Sequence, residues 1–187
     1  LKAPVSLDSL LKRYDSRRES IQPLYERIFE LACSLIEPAE LCESFPAKSL
    51  PSLVLHLPGA ERIVLGVCTL GPGIDSKSSE LCRSDLASAV ILDEIGTAWV
   101  LAIADDMYRK IRADADAVGL QSSPSFRPGI GRWPLEYQRV ILDHLQTKDL
   151  GIALSDGMML IPQKSISMIV AIGEKLGRAH FSEREQE

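Results

Sequence analysis

The sequence predicts an α+β fold: a single domain in which a long central helix and flanking helices surround a small, mostly antiparallel twisted sheet. Three observations carry this expectation. The stretch from Ala87 to Ala104 is apolar on nearly every face, which suits an enclosed helix. Ile63 to Leu70 is a short, β-branched apolar run, which suits a buried strand. Helices and strands also fail to alternate in the regular order that a parallel sheet requires. With 187 residues, 45% apolar and 25% charged, the chain can bury one substantial core. Aromatic residues are only 5%, so aliphatic packing dominates.

Residues 6 to 15 read as a short helix with Ser6 as its N-cap. Residues 19 to 37 form an amphipathic helix, because Leu24, Ile28, Leu31 and Leu35 recur at helical spacing and Pro38 ends the run. Pro46, Pro51 and Pro58 then punctuate an irregular or short-stranded passage. After the Ile63–Leu70 strand, Gly71-Pro72-Gly73 turns the chain into a helix ending near Arg83. Asp85 caps the longest element, which runs to about Ala117 and turns polar beyond Tyr108. Residues 119 to 134 are loop with one short strand. Leu135 to Leu145 is a helix with Pro134 at or near its first position. Ile152–Leu154, Met159–Ile161 and Ser167–Ile172 read as antiparallel strands. The expected organisation is an N-terminal helical segment (1–60) packed on a core (61–176), followed by a polar tail (177–187).

The net charge of −5 argues against nucleic acid as a partner, since phosphate contacts need clustered Lys and Arg. No apolar run approaches the ~20 residues of a bilayer span, and no signal-peptide pattern opens the chain, so no membrane partner is expected. Cys33, Cys42, Cys68 and Cys82 lack a C-x-x-C spacing, and His56, His144 and His180 stand at no ligand spacing from them. Reduced thiols in a cytoplasmic protein are therefore expected, and no metal site. Gly71 to Ser78 nearly matches a phosphate-cradling loop, but Ser76 replaces its second glycine. The acidic run Val90–Glu94 also follows Lys77 too closely for a helix, a turn and a separate strand to intervene, so nucleotide hydrolysis is a poor reading.

Two stretches carry unusual chemistry. Arg127-Pro128-Gly129-Ile130-Gly131-Arg132-Trp133-Pro134 sets two glycines in a proline-stiffened loop between arginines. Gly157-Met158-Met159-Leu160-Ile161-Pro162-Gln163-Lys164-Ser165-Ile166-Ser167 places two methionines at a bend and two serines on one face of the strand that follows. Asp93 and Thr97 lie one turn apart on the long helix, where a carboxylate needs a cationic partner such as a lysine, a helix N-terminus or a ligand amine. No nucleophile–histidine pair or general base is apparent, so no catalytic residue is assigned.

With Thr69-Leu70-Gly71-Pro72 and Leu92-Asp93-Glu94-Ile95-Gly96-Thr97-Ala98, these stretches resemble the activation (reactivation) domain of cobalamin-dependent methionine synthase, in its short free-standing form. The resemblance covers most of the chain from about Leu70 and rests on four motifs in order. It implies an S-adenosylmethionine site formed by Arg127, Pro128, Gly129, Ile130 and Gly131 with Asp93 and Thr97. It also implies a surface for a corrinoid (cobalamin-binding) protein or methionine synthase at Trp133, Met158, Met159, Ser165 and Ser167. Cobalamin would then reside on the partner, served by a flavodoxin- or ferredoxin-like electron donor. The family loop reads Arg-x-x-Pro-Gly-Tyr, whereas here Ser125 and Ile130 hold the arginine and tyrosine places and Arg127 directly precedes Pro128. Two readings follow: a domain that positions S-adenosylmethionine for reductive methylation of the corrinoid, or an interaction module that recognises the corrinoid protein without that donor.

Overall fold

A computed structural model describes residues 3–12, 14 and 18–179. Its centre is an antiparallel sheet of order β1-β2-β6-β3, formed by β1 (Ala39–Pro46), β2 (Arg62–Thr69), β6 (Ser165–Gly173) and β3 (Gln121–Ser122). The hairpin of β4 (Ala153–Leu154) and β5 (Leu160–Ile161) stands apart as a second, two-stranded sheet. The expected α+β class and antiparallel sheet are both present.

The alternation of side chains along β2 and β6 explains why the sheet is covered on both faces. Val64 and Cys68 of β2 and Met168, Val170 and Ile172 of β6 enter one core with α2 (Arg18–Leu35), α4 (Gly73–Leu81) and α5 (Leu86–Ala117). Ile63, Leu65 and Val67 with Ile169 and Ala171 enter a second core. Trp133, α6 (Tyr137–Leu145), Ile152 and Leu160 complete that core. Gly66 faces α5, where an added Cβ would lie 3.2 Å from Met107 Cε and 3.1 Å from Met168 Cγ. Its lack of a side chain lets α5 approach the sheet closely.

The caps are those read from the sequence. Ser6 accepts from the Ser9 N–H to start α1 (Leu7–Leu11), and Asp85 accepts from the Ser88 N–H to start α5. The hydrogen bonds from Ser88 hold the Asp85 carboxyl below its ordinary pKa. The expected continuation of α1 to residue 15 runs into residues outside those described, as does the tail beyond 179. Val90–Glu94 is helix rather than strand, and Gly71–Pro72 is a turn into α4.

Three expectations are corrected. The segment 1–60 is not only helical: residues 39–46 form an edge strand, whose groups on the inner side pair with β2 in antiparallel register from Ala39 to Pro46. Nor is α5 enclosed on every side, since Leu86, Val90, Asp93, Thr97, Leu101 and Asp105 are exposed. Alanine-rich and leucine-rich stretches satisfy helical apolarity without all being covered. By length and hydropathy α5 could also cross a bilayer, its best window averaging 1.7. Its role in the fold is that of a core helix, with Leu92, Ile95, Trp99 and Ala104 wholly buried.

All four cysteines are free, and burial pushes the Cys68 thiol up to about 12. A thiol-reactive disulfide at pH 8 should label exposed Cys82 in the native protein and reach Cys68 only on unfolding. A second test concerns Gly73, where an added Cβ would fall within 2.2 Å of the Leu35 carbonyl oxygen. Gly73→Ala must push the start of α4 off the end of α2, and urea unfolding should show a loss of about 1–3 kcal/mol.

Candidate ligand-binding site

The 127–134 loop is fixed from below by aromatic packing. Trp133 is 6% exposed and stacks on Phe126 with ring centroids 4.8 Å apart. Tyr137 and His56 meet it edge-on at 5.8 and 6.0 Å. The loop closes on itself: the Gly129 N–H donates to the Trp133 carbonyl at 2.8 Å, and the Ile130 N–H to the Arg127 carbonyl at 3.1 Å. Gly129 (φ 82°) and Gly131 (φ 66°) occupy the left-handed region that favours glycine. Around Gly131 an added Cβ would meet no atom within 4 Å, so the loop's backbone opens outward there.

A bulge sets where Arg127 points. Ser122 pairs with Ile172 but Phe126 pairs with Ile169, so the 122–126 side carries one residue more than β6 opposite it. Beyond the bulge, Phe126 turns into the second core while Arg127 reaches across to α5. Its Nη2 lies 3.2 Å from Asp105 Oδ1, with side-chain exposures of 22% and 68%. Ser125, within the bulge, has a buried Oγ with no hydrogen-bond partner among the described residues.

Asp93 and Thr97 come together as their spacing predicts, and their partner is a lysine. Lys164 Nζ donates to Asp93 Oδ1 at 2.6 Å and to Thr97 Oγ1 at 3.1 Å, its own side chain only 9% exposed. The lysine stem runs over Gly96, where an added Cβ would stand 3.2 Å from its Cε. Nearby, the Gln163 N–H donates to Asp75, tying the start of β6 to α4.

The residues expected to share one ligand thus fall into two clusters on α5. Asp93 and Asp105 are twelve residues apart, about 18 Å along the axis and roughly 120° around it. Exposed Ile130 and buried Pro128 belong with Arg127, while Asp93 and Thr97 are tied to Lys164. Of the expected partner surface, only Met159 (59% exposed) and part-exposed Met158 face outward. Met158 takes φ 60°, and its sulfur accepts from Arg139 at 3.7 Å. Trp133, Ser165 and Ser167 are buried: Ser165 donates to Thr69 Oγ1 at 2.8 Å and Ser167 to Gln138 Oε1 at 3.3 Å. Their place on that surface is withdrawn, because Trp133 fills the second core and the sheet face that carries both serines is covered, with Ser167 bonded to Gln138 of α6.

Asp105, Lys164 and Phe126 escaped sequence reasoning, since each acts through a partner distant in the chain. Exposed Asp93, Thr97, Leu101 and Asp105 recur every four residues and were the available signal for an uncovered helix edge. A cavity of about 660 Å³ is lined by Pro4, Pro38, Ala39, Glu40, Ile103 and Asp106 among others, and no expected site residue borders it. Its charged rim is held by ion pairs: Lys110 bridges Glu40 and Asp106 at 2.9 and 3.1 Å.

The asymmetry of the Lys164–Asp93 pair is testable. Asp93→Ala strands a buried ammonium with Thr97 as its remaining partner, and should cost about 1–2 kcal/mol by denaturant unfolding. Lys164→Met should cost less, because Asp93 is 55% exposed and returns to water.

No family model matches the sequence, and no curated protein matches it. Among solved structures the chain matches the MetH reactivation domain bound to AdoHcy, with a TM-score of 0.63 and 13% sequence identity. The match covers 83% of this chain and 66% of that one, so the chain spans just under two thirds of that domain's length. At this identity the likeness concerns architecture and carries no ligand across. The α+β architecture built on β2, β6 and α5 is that of the MetH reactivation domain fold.

Proposed function

We propose that the protein binds S-adenosylmethionine and presents its methyl group to a corrinoid protein during reductive reactivation, as an activation domain or subunit of a methionine synthase-like system. The observation that carries this reading is the shared fold with a domain that holds AdoHcy, the compound left when S-adenosylmethionine gives up its methyl group. The sequence motifs of the loop and the Met-Pro-Ser segment support it independently.

In this reading the chain contributes position rather than acid–base chemistry. The loop backbone at Gly129 and Gly131 lies against the nucleoside, and Arg127 takes the ligand carboxylate with a guanidinium that can donate in two directions. Ile130, Met159 and Ile161, at 61%, 59% and 50% exposure, offer an adaptable apolar border for the corrinoid protein. The electron comes from a flavodoxin- or ferredoxin-like donor acting on the partner. One observation favours the second reading, a corrinoid-binding module that does not use the donor: Arg127 is already engaged by Asp105.

Calorimetric titration with S-adenosylmethionine, alone and with a corrinoid protein held as cob(II), separates the two. Binding is expected, and Arg127→Ala should weaken it by about 1.5–3 kcal/mol. Capture of the corrinoid protein with no binding of the donor in either titration would establish the second reading instead.

A further inference from the structure

We propose that Asp105 is a specificity residue of the ligand site, and that with Arg127 it forms a clamp for a zwitterionic α-amino acid group: the ligand's carboxylate on Arg127, its ammonium on Asp105. The proposal rests on the methyl-donor reading above and assigns the amino-acid end of that ligand.

The pair is only partly satisfied as it stands. One guanidinium nitrogen meets one carboxylate oxygen at 3.2 Å, which leaves donor capacity on Arg127 and acceptor capacity on Asp105. Asp105 is 68% exposed on its side chain, so it can turn toward a ligand without losing core contacts. Arg127, in contrast, grows from a segment fixed by the Phe126–Trp133 stack, by the Phe126–Ile169 bridge and by the Ile130 N–H bond to its own carbonyl. A cation carried on an anchored segment beside an exposed anion is preorganised for a partner of the opposite pattern.

Charge balance narrows the ligand class. The pair is neutral in sum, so a plain anion or a plain cation satisfies one member and leaves the other to compete with it. A zwitterion satisfies both at once. Arg109 does not compete for the Asp105 carboxylate: its side chain meets the Asp105 backbone carbonyl at 3.4 Å and Asp106 Oδ1 at 3.2 Å.

Two neutral-sulfur nucleosides test the clamp. S-adenosylhomocysteine carries the amino-acid group, whereas 5′-deoxy-5′-methylthioadenosine lacks it. Titrated by calorimetry, Asp105→Asn should bind S-adenosylhomocysteine about three- to tenfold more weakly than the wild type, with methylthioadenosine unchanged. Asp105→Glu should recover most of the loss. If Asp105→Asn binds S-adenosylhomocysteine equally well or more tightly, Asp105 is merely an internal competitor for Arg127, and the clamp is overturned while the methyl-donor reading stands. An equal loss for both nucleosides would also overturn it, as damage to the site at large. Failure of the wild type to bind either nucleoside ends both proposals.

Discussion

The structure depends on one constraint: β2 and β6 are buried on both faces. From Ile63 to Leu70 every residue is buried, and β6 is nearly so from Ser165 to Gly173. A two-sided sheet cannot rest on one layer, so helices α2, α4 and α5 must cover one face while α6, Trp133 and the β4–β5 hairpin cover the other. Antiparallel pairing across β1, β2 and β6 satisfies the backbone groups that this burial removes from water. Each functional candidate is anchored to this slab: Lys164 enters β6, Phe126 bridges to it, and α5 lies across it.

The same constraint places the candidate site at a boundary rather than in a cavity. The Arg127 loop rises at the β3 side of the sheet from the aromatic stack in the second core, while Asp105 belongs to a helix of the first. Their ion pair joins the two layers where the sheet ends. Surface ion pairs contribute little to stability, commonly below about 1 kcal/mol, so this one can exchange partners without endangering the fold. Lys164–Asp93 differs because its ammonium is buried, which makes it a tether between β6 and α5 rather than a yielding contact.

Much of the fold was legible in the chain because it is encoded locally. Ser6 and Asp85 mark helix starts through their own side chains, Pro38 stops α2, and the β-branched run at Ile63 identifies the central strand. The edge strand β1 was less clear, since its Glu40, Cys42 and Glu43 face solvent and its pairing comes from β2. The site was half legible. Glycine and proline content located the loop, and helical spacing joined Asp93 to Thr97 and called for a cationic partner.

By itself, then, the sequence determined most of the elements, the caps at Ser6 and Asp85, the α+β class and the place of the glycine- and proline-rich loop, all consequences of interactions a few residues long. Only the tertiary structure decided that Trp133, Ser165 and Ser167 turn inward, that Arg127 answers to Asp105, and that Asp93 answers to Lys164 some seventy residues away. These pairings depend on which face of β6 and which edge of α5 are brought together. A bulge of one residue or a helix rotation of 40° per four residues changes that outcome without leaving a local mark in the sequence.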